Sequence, residues 1–421
     1  MKQVQRVTAN YSCDLFGICS ALYELGGLIV MHDASGCNST YATHDEPRWY
    51  TMDSMIYISA LEEYDMVLGN DQKLMDDVCE CAEEKHPKFI AIFGSPIALM
   101  CGTDFQGLAH LIEERTGIPT FAFKTSGMYT YQQGARQAFN GIAERFCDPS
   151  LERSTDGSLR VNLLGVTPLD FSVVGNVEGL YSFCQSEGFE VNSCWAMGNT
   201  LEQLEQAGNA DVNMVVSSTA IDAAKTLQEK YGTPYVVGVP IGKTGSELLA
   251  GAVRTAAESG GNRYLASGKA EDSPGARKIL LIGEPVQTTS LRTCIENDCG
   301  GGNVKIICPL EDGIGILRDT DIMSYDEDDI RAYLNAADIV IADPIFKRIL
   351  DESDMLARRA PDMLADGTKP VQWETADSAP VQASRAKFIA FPQESYSGRQ
   401  YRADIPVYVR PDFEEWLKER L

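Results

Sequence analysis

Histidine, positive charge and long hydrophobic runs are all scarce in this chain of 421 residues, and each shortage excludes a class of function. With 36 basic against 61 acidic residues, the formal net charge is −25. The basic surface that nucleic-acid binding requires is therefore lacking, and binding to anionic membranes is disfavoured. No apolar run approaches the roughly 20 residues that span a bilayer, and the opening MKQVQRVTANYS lacks the apolar core of a signal peptide. We expect a cytoplasmic protein that binds neither nucleic acid nor membrane.

The chain has twelve cysteines, but their spacing matches neither a disulfide framework nor a zinc knuckle. The cytosol keeps thiols reduced, and the closest pair, CEC at 79–81, is separated by only one residue. With only four histidines, a bound metal would be held by thiolate, which favours iron–sulfur chemistry or zinc. CEC and CIENDC (294–299) lie on predicted helices, where packing is the expected role. Four further cysteines are also expected to pack as small buried side chains. These are Cys147, Cys184, Cys194 and Cys308.

Short apolar runs alternate with helical segments along most of the chain, which is typical of parallel sheets with right-handed crossovers. The pattern is clearest where VNLLGVT, FEVNSCWA, VNMVVSS and PYVVGVP alternate with amphipathic stretches. We predict an α/β fold of three doubly wound, Rossmann-like parallel-sheet domains. They cover residues 1–160, with the candidate ligand cysteines, 161–272, and 273–421, with a C-terminal tail that returns to the cavity. Locally, Thr103 and Gln106 are spaced as a capping box, and IPVYV (405–409) has strand character.

Two cysteines flank the first predicted helix and strand. Cys13 precedes the helical run DLFGICSAL, and Cys37 follows the next apolar run, in HDASGCNSTY. Their separation of 24 residues is that of a helix and a strand that return to one edge of a sheet, so both thiols can meet at one rim. Loops and helix N-termini suit metal ligation by thiols. From the residues alone, Cys37 is an inert packing residue, a nucleophile or a metal ligand.

Five segments, in order along about 400 residues, resemble the nitrogenase component 1 superfamily. CDLFGICSAL with VMHDASGCNSTY is similar to the segment that holds the P-cluster in that family. FIAIFGSPIALMCGTDFQGLAHLIEERTGIPTFAFKTSG, LQEKYGTPYVVGVPIG, GEPVQTTSLRTCI and FIAFPQESYSGRQY resemble its later segments, the last of which helps to line the active-site cavity. The resemblance implies that Cys13 and Cys37 are cluster ligands.

Two departures from the family pattern limit what the resemblance implies. Pro96 stands where the family has its third cluster cysteine, and Cys101 is the nearest substitute. Val216 stands where the family anchors its active-site cofactor through a cysteine. The resemblance therefore implies an iron–sulfur cluster, of the [4Fe–4S] type that takes four cysteines, shared between subunits. No iron–molybdenum-type cofactor is expected.

Polar and aromatic residues follow the Cys37 loop in TYATHDEPRWY. Beside a cluster, His44 could donate a proton while Arg48 holds an anionic group of the substrate. Tyr41 and Trp49 would then line the substrate pocket. Two weaker pocket candidates, Ser397 and Arg399, come from SYSGRQY. The alternative is an ordinary polar surface loop.

GVPIGKTG (238–245) comes close to a phosphate loop but has three residues, not four, between its glycine and Gly-Lys-Thr. ATP hydrolysis by this chain is therefore not expected, although Lys243 at a helix start could contact an anion.

The resemblance implies a subunit of a nitrogenase-like reductase. A separate Fe-protein-like ATPase would deliver electrons through the shared cluster to a bound substrate, and a homologous sister subunit or a second copy of this chain would supply the remaining ligands. One alternative is a scaffold that assembles or stores a metallocluster without turnover. The other is a metal-free α/β binding protein.

Overall fold

Continuous apolar runs of four to six residues become buried parallel strands, as in KILLI, where four of five side chains are buried. A computed structural model describes residues 8–40, 45–147, 157–265, 275–311, 314–350, 386–398 and 402–421. The strands form three sheets in which every pair of named strands is parallel. The predicted α/β architecture of three parallel sheets is confirmed.

The first sheet has the strand order β2-β1-β3-β4. Its strands are β1 (Leu28–His32), β2 (Met55–Ile58), β3 (Ile90–Gly94) and β4 (Thr120–Ala122). The helices of this region are α1 (Asp14–Leu22), α2 (Cys37–Thr40), α3 (Glu63–Leu68), α4 (Asp71–Lys85), α5 (Pro96–Met100), α6 (Phe105–Thr116) and α7 (Tyr131–Arg145). A 3-10 helix covers Pro47–Tyr50.

The second sheet has the strand order β6-β5-β7-β8-β9. Its strands are β5 (Leu159–Leu164), β6 (Phe189–Cys194), β7 (Val212–Val215), β8 (Tyr235–Val237) and β9 (Arg263–Tyr264). Its helices are α8 (Pro168–Phe171), α9 (Asn176–Ser186), α10 (Leu201–Glu205), α11 (Ile221–Tyr231) and α12 (Gly242–Ser259), with 3-10 turns at Gln206–Asn209 and Ser218–Ala220. The predicted domain boundary after residue 160 falls inside β5, and that after residue 272 lies outside the described residues.

The third sheet has the strand order β12-β11-β10-β13-β14. Its strands are β10 (Lys278–Ile282), β11 (Asn303–Cys308), β12 (Ile322–Met323), β13 (Ile339–Ala342) and β14 (Lys387–Ala390). Its helices are α13 (Pro285–Asp298), α14 (Glu327–Ala336) and the C-terminal α15 (Phe413–Lys418), with a 3-10 turn at Pro344–Phe346.

Two local predictions are wrong because side chains make other contacts. Helix α6 is capped by Asp104, which accepts a hydrogen bond from the Gly107 N–H at 3.1 Å, while the Gln106 side chain donates to the Ala122 carbonyl. Residues 405–409 form no strand; instead, the N–H groups of Tyr408 and Val409 both donate to the side chain of Asn176 at the start of α9.

Helices α1 and α7 lie in direct backbone contact, and this contact places the start of α1. A methyl group on Gly17 would lie 1.9 Å from the Tyr131 carbonyl oxygen, and one on Gly134 would lie 1.8 Å from the Asp14 carbonyl oxygen. Only glycine at both positions allows the two helices to approach so closely. The residue before α1 is Cys13, so this packing fixes the backbone that carries its thiol.

Candidate functional site

Cys13 is the N-cap residue of α1 and sits in extended backbone between two loops. On one side, the Tyr131 N–H donates to the Ser12 carbonyl at 2.7 Å, and the Asp14 N–H donates to the Tyr129 carbonyl at 3.0 Å. These bonds join the chain before α1 to the loop that leads into α7. The Cys13 backbone is thus held on this side by its own domain.

The C-terminal region holds the other side of the same stretch. The Ser12 N–H donates to the Ser395 carbonyl at 2.8 Å, and the Ser397 N–H donates to the Asn10 carbonyl at 3.1 Å. The rings of Tyr11 and Tyr396 stack with their centroids 4.4 Å apart. Residues 395–397, which follow β14 of the third sheet, therefore lie beside the Cys13 segment.

The Asp14 side chain links the start of α1 to the position of the missing third cysteine. Its carboxylate accepts hydrogen bonds from the N–H groups of Ser126 and Gly127, at 2.7 and 2.9 Å. Gly127 has a left-handed backbone, and a methyl group added there would lie 2.8 Å from Cδ of Pro96. Pro96 and Cys13 therefore belong to one small region at the edge of the first sheet.

Burial controls the protonation of the Cys13 thiol, which is only partly exposed. Burial raises its pKa to about 11, against a smaller opposing effect of the Phe16 backbone N–H. The isolated thiol is therefore neutral near pH 7, and a bound metal would be needed to hold it as thiolate. Because the partial positive charge of a helix N-terminus favours anions, the start of α1 would stabilise that thiolate.

Cys37 and Cys101 follow the ends of two adjacent strands. His32 at the end of β1 is paired with Gly94 at the end of β3. Cys37 begins α2 five positions after His32, and Cys101 ends α5 seven positions after Gly94. Both segments therefore leave the same edge of the first sheet, where Cys101 is exposed. The Cys37 side chain lies outside the described part of the structure, so its convergence with Cys13 stays a prediction.

The segment that begins at Asp45 contacts the C-terminal segment. The Gly398 N–H donates to Oδ2 of Asp45 at 3.1 Å, and the neighbouring Ser397 is exposed. Trp49 is 41% exposed. The other predicted pocket residues, Tyr41, His44 and Arg399, lie outside the described residues.

Arg48 does not face a cavity, which corrects its predicted role as an anion-binding residue. Its guanidinium is buried against the carboxylates of Glu46 and Glu24, at 2.6 and 3.0 Å. It also donates to the carbonyl oxygens of Ser20 and Ala196, at 2.7 and 2.9 Å. Because its N–H groups make these contacts, Arg48 joins α1 to the loop after β6. Its role is structural, and it does not bind substrate.

Helix α12 begins within GVPIGKTG, the segment that comes close to a phosphate loop. A carboxylate of the same chain binds the first turn of this helix. The Asp298 carboxylate accepts hydrogen bonds from the N–H and the hydroxyl of Thr244, at 3.0 and 2.5 Å. An aspartate side chain thus occupies the place that a phosphate takes in a true phosphate loop.

Sequence reasoning did not identify a buried carboxylate cluster where the three domains meet. Asp170, on the short helix α8 that follows β5, accepts hydrogen bonds from the hydroxyls of Tyr131, Ser217 and Thr167. These bonds measure 2.5, 2.7 and 2.9 Å. Tyr131 belongs to α7 of the first domain and Ser217 follows β7 of the second, so one carboxylate ties the two together.

Glu284, two residues after the end of β10 at Ile282, is the second carboxylate of this cluster. It is buried and accepts hydrogen bonds from the N–H groups of Ser218 and Gln287, both at 2.8 Å. The Gln287 side chain donates to the Asp170 carbonyl at 2.8 Å, which connects the two acidic residues. Both Glu284 and Gln287 are buried, and their burial depends on the apposition of the domains.

We expect the Glu284→Gln substitution to remove a pH-dependent loss of stability. Burial, reinforced by the charge of Asp170, raises the pKa of Glu284 from 4.5 to about 8. The folded state therefore binds more protons than the unfolded state between those values, so stability present at low pH is lost as the pH rises through 8. Urea unfolding at about pH 5 and about pH 9 should show that the glutamine variant loses less stability than the wild type, by on the order of 3 kcal/mol. Equal pH dependence of the two proteins would contradict the assignment.

The described part of the chain has neither a membrane-spanning helix nor a group of metal-binding side chains. No helix there is long and apolar enough to cross a membrane. No three side chains of the His, Cys, Asp or Glu type are grouped there to hold a metal ion. The described residues of one chain therefore contain no complete metal site.

Comparison with known proteins agrees with these features. The family described as nitrogenase component 1 type oxidoreductase matches residues 13–274. The nitrogenase iron-molybdenum cofactor biosynthesis protein NifE of Clostridium pasteurianum is 25% identical over 178 residues, which are 42% of this chain and 38% of that protein. The nitrogenase molybdenum-iron protein alpha chain of the same organism is 26% identical over 185 residues, 43% of this chain and 33% of that protein.

Solved structures share the fold. One named "Nitrogenase Cp1 at pH 6.5" superposes with a TM-score of 0.66 at 15% identity, covering 100% of this chain and 93% of its own. In sequence, however, the matched regions cover well under half of the two curated relatives. The family match begins at Cys13 and spans more than half of the chain. The chain belongs to the nitrogenase component 1 type oxidoreductase family.

Proposed function

We propose that this chain is a subunit of a nitrogenase-like reductase that passes electrons through an iron–sulfur cluster shared between subunits. The observation that carries the proposal is the setting of Cys13. Its thiol stands at the N-terminus of α1, and its backbone is fixed by hydrogen bonds from the first and third domains. A rigid, partly exposed thiol at a helix start suits metal ligation better than packing does.

The residues present fit half of a [4Fe–4S] site. Cys13 and Cys37 would be two of its ligands, and Cys101, exposed at the same sheet edge, is a third candidate. Four thiolates are required, and Pro96 supplies none, so the remaining ligands would come from a homologous sister subunit or a second copy of this chain. Such a cluster supplies one-electron transfer chemistry when bound.

Apolar side chains around this edge support a shared site. Met100 on α5, next to Cys101, is 81% exposed, and Met128, next to Gly127, is 84% exposed. Tyr129, whose carbonyl is bonded to the Asp14 N–H, is half exposed. A neighbouring subunit over these residues would remove their apolar surface from water and exclude solvent from the thiols.

The substrate would lie on the side of the C-terminal segment. Tyr41, Trp49, Ser397 and Arg399 are proposed to line its pocket, and His44 to donate a proton there. Arg48 is not among these residues, because its guanidinium is bound to Glu46 and Glu24. Its role is to hold the 3-10 helix that follows His44 against α1.

An iron–molybdenum-type cofactor anchored by cysteine is not part of the proposal. Val216 directly follows β7 and is fully buried, and its side chain has no atom that could bind a metal. Close to Val216, the region where the three domains meet is filled by the side chains of Tyr131, Asp170 and Glu284. Because α12 lacks a phosphate loop, ATP would be hydrolysed by a separate Fe-protein-like partner.

The alternative function is a scaffold that assembles or stores a metallocluster. It is favoured by relatives that are named as cofactor biosynthesis proteins, including NifE of Clostridium pasteurianum and NifE of Methanosarcina barkeri, which is 25% identical over 186 residues. A scaffold would need the same thiols, but it would release its cluster to another protein.

One experiment separates the two functions. The anoxically purified protein is mixed with an Fe-protein ATPase and dithionite, with and without MgATP, and its cluster is followed by electron paramagnetic resonance. A reductase predicts cluster reduction that requires both the ATPase and MgATP. A scaffold predicts instead that iron moves to an added apo-acceptor protein without ATP. A protein that contains no iron or acid-labile sulfide would contradict both and favour the metal-free binding protein.

A further inference from the structure

Two thiols meet at the end of α13, far along the chain from the proposed cluster. The sulfur atoms of Cys294 and Cys299 are 4.0 Å apart, and both residues are buried. Residues five apart in a regular helix point in directions about 140° apart. The sulfurs meet here because the chain leaves the helix at Cys299, where φ is −108° and ψ is 18°.

We infer that Cys294 and Cys299 form a redox-active dithiol that hydrogen peroxide converts into an intrachain disulfide. In the first step, the Cys299 sulfur attacks the peroxide, whose O–O bond breaks to give a sulfenic acid and one water. In the second step, the Cys294 sulfur displaces the hydroxyl from that sulfenic acid, and the S–S bond and a second water form. Two thiols and one hydrogen peroxide thus give one disulfide and two waters.

The surroundings assign the first step to Cys299. Cys299 retains a small exposed area, whereas Cys294 has none. A hydrogen bond from the Cys294 thiol and the nearby charge of Lys418 lower the pKa of Cys299. The same contact raises the pKa of Cys294, which therefore acts as the resolving thiol.

The backbone around the pair leaves Cys299 free to close the gap. The sulfurs must approach from 4.0 Å to about 2.05 Å. Cys299 is followed by three glycines with φ of 86°, 76° and 153°, conformations that glycine adopts at low cost. Cys294 is more restricted, because a methyl group on Gly242 would lie only 2.5 Å from its sulfur.

Formation of the disulfide would disturb the contact between the second and third domains. Asp298, adjacent to Cys299, caps α12 through Thr244. Rotation of the last turn of α13 would weaken this cap, so faster amide hydrogen exchange at the start of α12 is expected in the oxidised protein.

Peptide mass spectrometry tests the dithiol directly. The reduced protein is treated with hydrogen peroxide in the presence of an iron chelator, then denatured with N-ethylmaleimide and digested with trypsin. Cleavage after Arg292 and Lys305 gives one peptide that contains both cysteines and no other. Most of this peptide should be lighter by two hydrogens and carry no maleimide, and reduction should restore two labelled sites.

Two controls keep the outcome specific. Cys184, a buried thiol outside the pair, should remain alkylated by maleimide after the same treatment. In the Cys294→Ser variant, the resolving thiol is missing, so dimedone should trap a sulfenic acid at Cys299. The inference is overturned if the wild-type peptide still carries two maleimides when the exposed Cys101 is already oxidised. This comparison uses the wild type alone, so it does not depend on the folding of the variant.

Discussion

The Cys37→Ala variant should lose the cluster absorbance in the visible region while its fold remains intact. Iron–sulfur clusters absorb there through their thiolate bonds, and a shared site with two ligands per chain does not tolerate the loss of one. Helix α2 begins at residue 37 and is only four residues long, so the substitution changes little of the packed core. Absorbance spectra and iron analysis after anoxic purification measure the loss, and circular dichroism measures the fold.

Cys81→Ala is the matched control for this variant. Cys81 is a half-buried thiol on α4, and the sequence gives it no role as a ligand. Its variant should keep full iron content and absorbance. Full iron occupancy in Cys37→Ala would count against the assignment of Cys37 as a ligand.

The Gly134→Ala variant is expected to be the most destabilised of the variants considered, because its added methyl group would collide with backbone. That group would lie 1.8 Å from the Asp14 carbonyl oxygen, which cannot move unless α1 and α7 separate. We expect a loss of at least about 3 kcal/mol in the free energy of unfolding. Since α1 carries Cys13 at its start, any protein that still folds should bind less iron. Urea unfolding of the wild type and the variant measures the first effect.

A glycine in an open position provides the comparison for Gly134. Gly251 lies within α12, and a methyl group there would have no heavy atom within 4 Å. Gly251→Ala should therefore stabilise the protein by up to about 1 kcal/mol, because alanine favours the helix. An unchanged unfolding midpoint for Gly134→Ala would show that α1 and α7 are not packed as described.

The parallel sheets could be predicted because their cause is local. Residues 28–31 of β1 and 90–93 of β3 are apolar throughout, which is what a strand buried on both faces requires. The segment IPVYV is also mostly apolar, but the Asn176 side chain accepts hydrogen bonds from two of its N–H groups and it joins no sheet. A bond between residues more than 200 positions apart leaves no local signal.

The site could be predicted only where its geometry follows from the sheet. The position of Cys13 before a helix is a local feature, and the structure places it there. The direction of the Arg48 side chain depends on Glu24 and on the Ala196 carbonyl, 148 positions away. The burial of Asp170 and Glu284 likewise depends on the meeting of separate sheets. The predicted roles of Cys37, His44 and the other pocket residues await experiment.

The central claim is that each chain supplies part of a shared cluster. Native mass spectrometry of the anoxically purified protein tests this claim most directly. The expected species contains two subunits, either two copies of this chain or this chain with a sister subunit, and the added mass of one [4Fe–4S] cluster. Its cluster should be lost together with the association when Cys13 and Cys37 are replaced. A monomer that carries a complete cluster, or a dimer without iron, would contradict the account.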